Sequence, residues 1–307
     1  MTIKEQNFIS AVIYVHNNQS TLKEFLGYIG GYLKNKFSNY EIICVNDGST
    51  DDSEAIIREA ALSEEMNLTL VNMGNVQGVE HSMNAGLDLA IGDFVLEFDS
   101  AVKTWPDDII DQVYGKMQEG ADIVSACPDS RPRFTSRVFY AVFNKYANTR
   151  NPIGTEAFRL LSRRAVNRVS SMNRTQMYRK AVNANSALKQ ASVTFTPTEN
   201  ANIEKALSKE RRSLAVDSLL LFTNVGYKVS LIITLVMLAF AFIVGVYTVI
   251  VFITGRPVEG WTPIMIFLSL GFFGLFAILT FCVKYLSLIL NLNFKRRHYV
   301  VENVEKL

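Results

Sequence analysis

Two long uncharged runs near the C-terminal end constrain this 307-residue chain more than any other feature. Twenty-seven residues without a charge separate Lys228 from Arg256, and twenty-four more separate Glu259 from Lys284. A helix crossing a hydrocarbon core of ~30 Å needs roughly 20 residues, so each run is long enough to span a bilayer. The expected organisation is a soluble domain over residues 1–204, a juxtamembrane amphipathic helix over 205–227, and a membrane part over 228–307. Within that last part the spans are placed at about 229–254 and 262–290, followed by a basic tail. An ordinary helix packed on the soluble domain is the alternative for 205–227, where apolar and charged positions mix at helical spacing.

The distribution of charge sets an orientation. Lys209, Arg211, Arg212 and Lys228 precede the first run, and Lys295, Arg296, Arg297 and His298 follow the second. The connecting GRPVEGW carries one Arg and one Glu, with Trp261 at its end. Basic residues collect on the cytoplasmic side, so a multi-pass protein of the inner (cytoplasmic) membrane is expected, with both termini cytoplasmic and membrane lipid as a partner. The N-terminal MTIKEQNFISAVIYVH has no apolar run of signal-peptide length. A formal charge of +2 gives no support to nucleic-acid binding. The three cysteines, Cys44, Cys127 and Cys282, form no CxxC pair and no metal-ligand spacing, as expected in a reducing compartment. Gly271 and Gly274 are close in helical spacing and could support a homo-oligomer, although lipid-facing Phe residues explain most of LGFFGLF.

The first half alternates short β-rich apolar runs with helical stretches. FISAVIYV (8–15), EIICV (41–45), LTLVNM (68–73) and DFVLEF (93–98) read as strands. Helices are expected from about Leu22, over SEAIIREAALSEEM, and near His81 to Ala90. Such alternation predicts an α/β fold with a mostly parallel, doubly wound (Rossmann-like) sheet. Ligands of such sheets bind beyond the carboxyl ends of the strands, which singles out loops 16–20, 46–52 and 99–106. From Asp107 to about Leu188 the pattern is more helical, with one strand expected in ADIVSAC and an Arg-rich stretch, PDSRPRFTSR.

Three strand-end motifs follow one another: SAVIYVHNN, VNDGSTDD and GDFVLEFDSAVKTWPDD, with NMGNVQGVEHSMNAGLDLAIGD between the second and third. In order and spacing they resemble the family 2 glycosyltransferases of the GT-A fold. With FRLLSRRAV at 158–166 and two C-terminal spans, the chain is most similar to the polyprenyl-phosphate glycosyltransferases of that family. The resemblance implies a nucleotide-sugar donor, a polyprenyl phosphate acceptor such as undecaprenyl phosphate, and a divalent metal, Mg²⁺ or Mn²⁺.

Carried onto this sequence, the resemblance places Asp47 at the nucleotide base, where a carboxylate accepts hydrogen bonds from base N–H groups. Ser49 helps to fix the turn, and Tyr14, His16, Asn17 and Asn18 form the first nucleotide-contacting loop. The family prefers Pro at Tyr14 and Glu at Asn18. A turn and helix cap is the purely structural alternative for Asp47, Gly48 and Ser49.

Asp99 matches the first aspartate of the family's metal-binding Asp-x-Asp, with Pro106 seven residues later supporting the register; the second aspartate is Ala101. Glu97 lies two residues before Asp99, hence on the same strand face. Two readings of Glu97 follow: a shifted metal motif with Asp99, or a structural ion pair with a nearby Arg or Lys. On the acceptor side the resemblance implies an acidic residue as catalytic base just before the Phe-Arg-Leu string; that position is Ala157 here, with Glu156 one residue earlier as the candidate base. A phosphate monoester is largely dianionic near neutral pH and needs cations more than a base. Arg131, Arg133 and Arg159, with Arg137, are the candidates for that phosphate, since a guanidinium binds phosphate through two hydrogen bonds; attraction of anionic lipid head groups is the alternative for the same loop.

The family's later basic segment is not recognisable. Two functions therefore compete: inverting sugar transfer from a nucleoside-diphosphate donor, UDP-linked by expectation, to a polyprenyl phosphate at the cytoplasmic face, or a catalytically silent, glycosyltransferase-like membrane scaffold. Asp47 and Asp99 favour the enzyme; Ala101 and Ala157 favour the scaffold.

Overall fold

The computed structural model describes residues 4–63, 66–130, 134–146, 152–172, 178–198 and 299–307, together with scattered helical positions between 232 and 289. The juxtamembrane helix expected over 205–227, and most of both apolar runs, lie outside the described residues.

One eight-stranded sheet organises the chain, in the order β7-β5-β6-β4-β1-β2-β3-β8. The first half builds β1 (Glu5–Val15), α1 (Gln19–Lys36), β2 (Phe37–Asn46), α2 (Ser53–Ser63), β3 (Leu68–Met73), α3 (Val79–Leu89) and β4 (Phe94–Phe98). The β1/β2, β2/β3 and β1/β4 pairs are all parallel. The expected α/β reading is met here, and every strand expected in this half is present. The chain winds outward from β1 to β3, then crosses back through α3 to set β4 on the other side of β1. That reversal opens a crevice at the carboxyl ends of β1 and β4, the usual ligand position in such sheets.

The second half contributes α4 (Ile109–Gln118), β5 (Ile123–Pro128), α5 (Phe134–Tyr146), β6 (Phe158–Ser162), α6 (Arg163–Met172), α7 (Arg179–Asn185) and β7 (Gln190–Phe195). Here β6 runs antiparallel to both β4 and β5. Its register sets Arg159 directly opposite Glu97. The last strand, β8 (Val301–Lys306), pairs antiparallel with β3. The basic tail thus ends as a sheet strand, a feature the sequence pattern did not suggest.

Strand alternation divides the core into two layers. Ile9, Ala11, Ile13 and Val15 of β1 face α1, α2 and α4, whereas Val12 and Tyr14 face α3 and α6. Each fully buried Leu, Ile or Phe stabilises the fold by roughly 1.5–3 kcal/mol, so the paired layers hold the strand ends rigidly. Gly86 allows α3 to lie close on the sheet: a Cβ there would meet Val12 Cγ1 at 2.4 Å and Val45 Cγ2 at 2.8 Å. Beneath the end of β4, Phe98 stacks on Trp105 (5.6 Å between centroids), and Trp105 packs on Phe158 (4.6 Å). This aromatic floor fixes where Asp99 emerges.

Candidate active site

Two neighbouring regions line the carboxyl ends of the strands. The first joins the β1, β2 and β3 loops. Asp47, at the end of β2, is completely buried, and its carboxylate accepts the Gln77 and Gly78 backbone N–H groups (2.8 Å each) and the Tyr14 hydroxyl (3.0 Å). Gly78 makes this possible by adopting φ +85°, a backbone region glycine enters without a Cβ penalty. Asn17, also in the left-handed region at φ 52°, accepts the Thr50 N–H at 2.8 Å and donates its own N–H to Ser49 Oγ at 3.1 Å. His16 Nδ1 lies 2.6 Å from the Asp47 carbonyl, and Asn18 Oδ1 accepts the His16 N–H at 2.9 Å.

All six residues expected at the nucleotide therefore converge. Their roles divide, and one expectation is corrected: Asp47 is not an open acceptor for a base, because both of its oxygens are occupied and no part of it is accessible. It anchors the loop. The accessible edge consists of Asn17, with His16 and Ser49 partly exposed beside it.

The second region is ionic. Four carboxyl groups, Glu80, Glu97, Asp99 and Glu156, meet two buried guanidinium groups. Arg179, at the start of α7, donates from Nε to Glu80 (3.0 Å), from Nη1 to Glu97 (3.1 Å) and from Nη2 to Asp99; its backbone N–H also reaches Glu80 (3.0 Å). Arg159 faces Asp99 (3.0 Å), Glu97 (3.2 Å) and Glu156 (3.2 Å). Buried charges at this density persist only when paired.

Two further expectations are corrected here. Arg159 is not available to an acceptor phosphate, since its side chain is 2 % exposed and faces carboxylates. Glu97, 1 % exposed with both oxygens facing arginines, is the structural ion pair and not half of a metal motif. Burial pushes its pKa upward, outweighing the lowering by Arg179 and Arg159. At Asp99 burial acts in the same upward direction, but Arg179, Arg159 and Lys180 together hold the carboxyl well below the usual range, so it is ionised. Glu156 is placed against Arg159 instead of standing open as a base. Arg131 and Arg133 lie outside the described residues, while Arg137 sits on α5, exposed.

Asp99 retains an accessible edge, with 26 % of its side chain exposed. Ala101 is fully buried and supplies no second carboxylate. Among the described residues no group of three or more His, Cys, Asp or Glu converges as a metal site. An Mg²⁺-type ion usually takes one or two carboxylates and completes its shell with water and substrate phosphate oxygens. Asp99 alone fits that pattern when a diphosphate is present.

Glu80, Arg179 and Lys180 were not found by sequence reasoning. Their one signal was an Arg-Lys pair heading a short apolar helix, RKAVNAN, and an acidic residue opening α3. Lys180 is half-buried at the mouth of the cluster, with Nζ 3.3 Å from the Gly154 carbonyl.

This mostly parallel sheet, with its crevice between β1 and β4, has the GT-A type of fold. The chain belongs to glycosyl transferase family 2, whose sequence profile matches residues 10–172, more than half of its length. It is 28% identical to a prophage bactoprenol glucosyl transferase homolog of Escherichia coli K12, over 97% of this chain and 99% of that one. It is 30% identical to an uncharacterized glycosyltransferase, sll0501, of Synechocystis, over 61% of this chain; the match spans 60% of that relative's length. Among solved structures it is similar to a mannosyltransferase from Pyrobaculum calidifontis in complex with GDP-Man and Mn²⁺, with TM-score 0.52, 17% identity, and coverage of 91% and 74% of the two chains.

Proposed function

We propose that the protein is an inverting glycosyltransferase that moves a sugar from a nucleoside diphosphate, UDP by preference, to a polyprenyl phosphate of the undecaprenyl type at the cytoplasmic membrane face. The observation that carries this is the convergence of the Asn17–Ser49 edge and the exposed face of ionised Asp99 at one topological switch point. Full-length similarity to a bactoprenol glucosyl transferase homolog supports the acceptor class.

In this reading the base lies along His16, Asn17 and Ser49, and the diphosphate reaches Asp99. A divalent ion held by Asp99 would offset charge on the departing diphosphate. Arg159 and Arg179 hold the Asp99 carboxylate ionised and fixed in direction. Lys180, at the mouth, lies where it can attract the acceptor phosphate, and the Arg-rich stretch PDSRPRFTSR offers Arg131, Arg133 and Arg137 as further candidates by sequence. An acceptor phosphate oxygen attacks the anomeric carbon from the face opposite the nucleotide. As the new C–O bond forms, the bond from that carbon to the diphosphate oxygen breaks, and the electron pair leaves with the nucleoside diphosphate. The attacking phosphate is already largely dianionic, so no strong base is required, which is consistent with Glu156 lying against Arg159.

Membrane attachment through the two apolar runs accompanies this proposal. Among the described residues no helix is long and apolar enough to cross a membrane; most positions of both runs lie outside them. The positions that are described are helical and expose large apolar side chains, including Ile232, Val236 and Ile243 in the first run and Leu268, Leu275 and Leu286 in the second. Large exposed apolar surfaces mark membrane or partner contact. Moreover, β7 and β8 belong to one sheet, so the chain between them starts and ends on the same side. An even number of crossings, with both termini cytoplasmic, satisfies that constraint.

Arg-occupied Asp99 and Ala101 favour a second reading, a silent family member that binds nucleotide or lipid phosphate and scaffolds a partner. The test is sugar transfer by the full chain in nanodiscs, with a panel of nucleotide sugars, undecaprenyl phosphate and Mg²⁺ or Mn²⁺. Formation of a lipid-linked sugar, abolished by Asp99→Asn, is the expected result; nucleotide binding with no product across the panel would replace the enzyme by the scaffold.

A further inference from the structure

The C-terminal strand is bonded to the loop that holds Asp47. Immediately before β8, the Val300 carbonyl accepts the Gly74 N–H (3.0 Å) and the Gln77 side-chain amide (2.7 Å), while the Val300 N–H donates to Gln77 Oε1 (2.8 Å). The Gln77 amide is thus held at both ends by the backbone of one residue, as a second strand would hold it. Its own backbone N–H then donates to Asp47 Oδ1 at 2.8 Å. Two more contacts pin the same segment: Tyr299 Oη to Asp88 Oδ2 (2.7 Å) and Arg58 to both oxygens of Glu305 (2.7 and 3.1 Å).

We propose that Gln77 is a positioning residue through which the docked C-terminal strand sets the Asp47 loop, so that donor nucleotide affinity depends on the segment returning from the apolar runs. The proposal rests on the nucleotide-site reading above. Gln77 touches no reacting atom; its backbone and side chain join two structures that are 223 residues apart in sequence. Without the Val300 clamp, loop 74–78 keeps its bonds to Asp47 but loses the outer support that fixes their direction. Looser ordering is then paid when the nucleotide binds, which weakens binding without altering the chemical step.

The experiment is calorimetric titration of the full-length, detergent-held protein with UDP, GDP and CDP, together with donor KM and kcat. For Gln77→Ala we expect Kd for the preferred nucleotide and donor KM to rise about tenfold, equivalent to ~1.4 kcal/mol, with kcat within twofold of wild type. Gln77→Glu keeps the acceptor for the Val300 N–H and loses the donor to its carbonyl, so it falls between. Val300→Pro removes the other bond, from the Val300 N–H to Gln77 Oε1, at an exposed residue, and shifts Kd in the same direction. Wild-type binding with unchanged Kd in Gln77→Ala and Val300→Pro overturns the proposal and leaves the nucleotide site standing. If the wild type binds none of the three nucleotides, the site reading fails and the proposal falls with it.

Discussion

The two halves of the crevice are built from opposite materials. Around Asp47 a single buried carboxylate is satisfied by two backbone N–H groups from the loop after β3 and a tyrosine hydroxyl from the end of β1. Around Asp99, charge answers charge, with four carboxyl groups drawn from α3, β4 and the approach to β6, and two guanidinium groups from β6 and α7. A web of neutral donors tolerates the loss of one bond, because its remaining donors stay in place. An ionic cluster in low dielectric does not, since removing one partner leaves the others charged and unpaired.

Arg179→Met should expose that difference most strongly. It strips a guanidinium from Glu80, Glu97 and Asp99 together, and breaking a buried pair of this kind costs about 3–5 kcal/mol. Thermal unfolding followed by circular dichroism should show a large fall in Tm, partly restored when Glu80→Gln removes one of the orphaned charges. A small fall would mean that the cluster is hydrated and not truly ionic. Tyr14→Phe probes the neutral web. Losing a hydroxyl donor to a buried carboxylate costs about 1.5–3 kcal/mol at most, so its Tm should lie between wild type and Arg179→Met. Reversal of that order would break the comparison.

A third carboxylate, Asp122, sharpens it through pH. Asp122 is buried near the β5 start, where Arg164 Nε (2.8 Å), the Ser162 hydroxyl (3.2 Å) and the Lys189 N–H (3.3 Å) converge on it. Its pKa is lowered chiefly by the Arg164 hydrogen bond, against the opposing effect of burial. The folded value therefore lies below the unfolded one near 3.8. Its stabilisation is complete above that pH and is lost as the pH falls through the folded value. The stability gap between wild type and Asp122→Asn should be constant from pH 7 to 5 and close in more acid solution, as read from denaturant midpoints. The smallest effect belongs to Arg58→Ala. Its pairs with Glu54 and Glu305 are half-exposed and partly screened, so Tm should fall only slightly and by less at high salt.

The same contrast explains what the sequence could disclose. The Asp47 region is written locally: VNDGSTDD and the glycine-containing loop NMGNVQG each lie within a few residues, and strand alternation alone puts their ends at one edge. That Tyr14, His16, Asn17, Asn18 and Ser49 meet at one edge was accordingly legible. What stayed hidden was that backbone N–H groups 30 residues on would fill the Asp47 carboxylate. The ionic cluster is written at long range. Arg159 read as an acceptor cation because nothing local announces that β6 is antiparallel to β4 with Glu97 opposite it. Arg179 and Glu80 meet across 99 residues, and no spacing rule joins them. The C-terminal strand was equally silent: KRRHYVVENVEK has the polarity of a tail, and only its pairing with the exposed edge of β3 makes it a strand. The apolar runs, by contrast, are visible in hydropathy alone.

The most direct test of the account is a structure of the full chain in nanodiscs with UDP and Mg²⁺ at saturation. The account predicts the base against His16, Asn17 and Ser49, the diphosphate at the exposed edge of Asp99, and Arg159 and Arg179 still holding that carboxylate from behind. A nucleotide bound away from the β1/β4 crevice, or a diphosphate that never approaches Asp99, would contradict it.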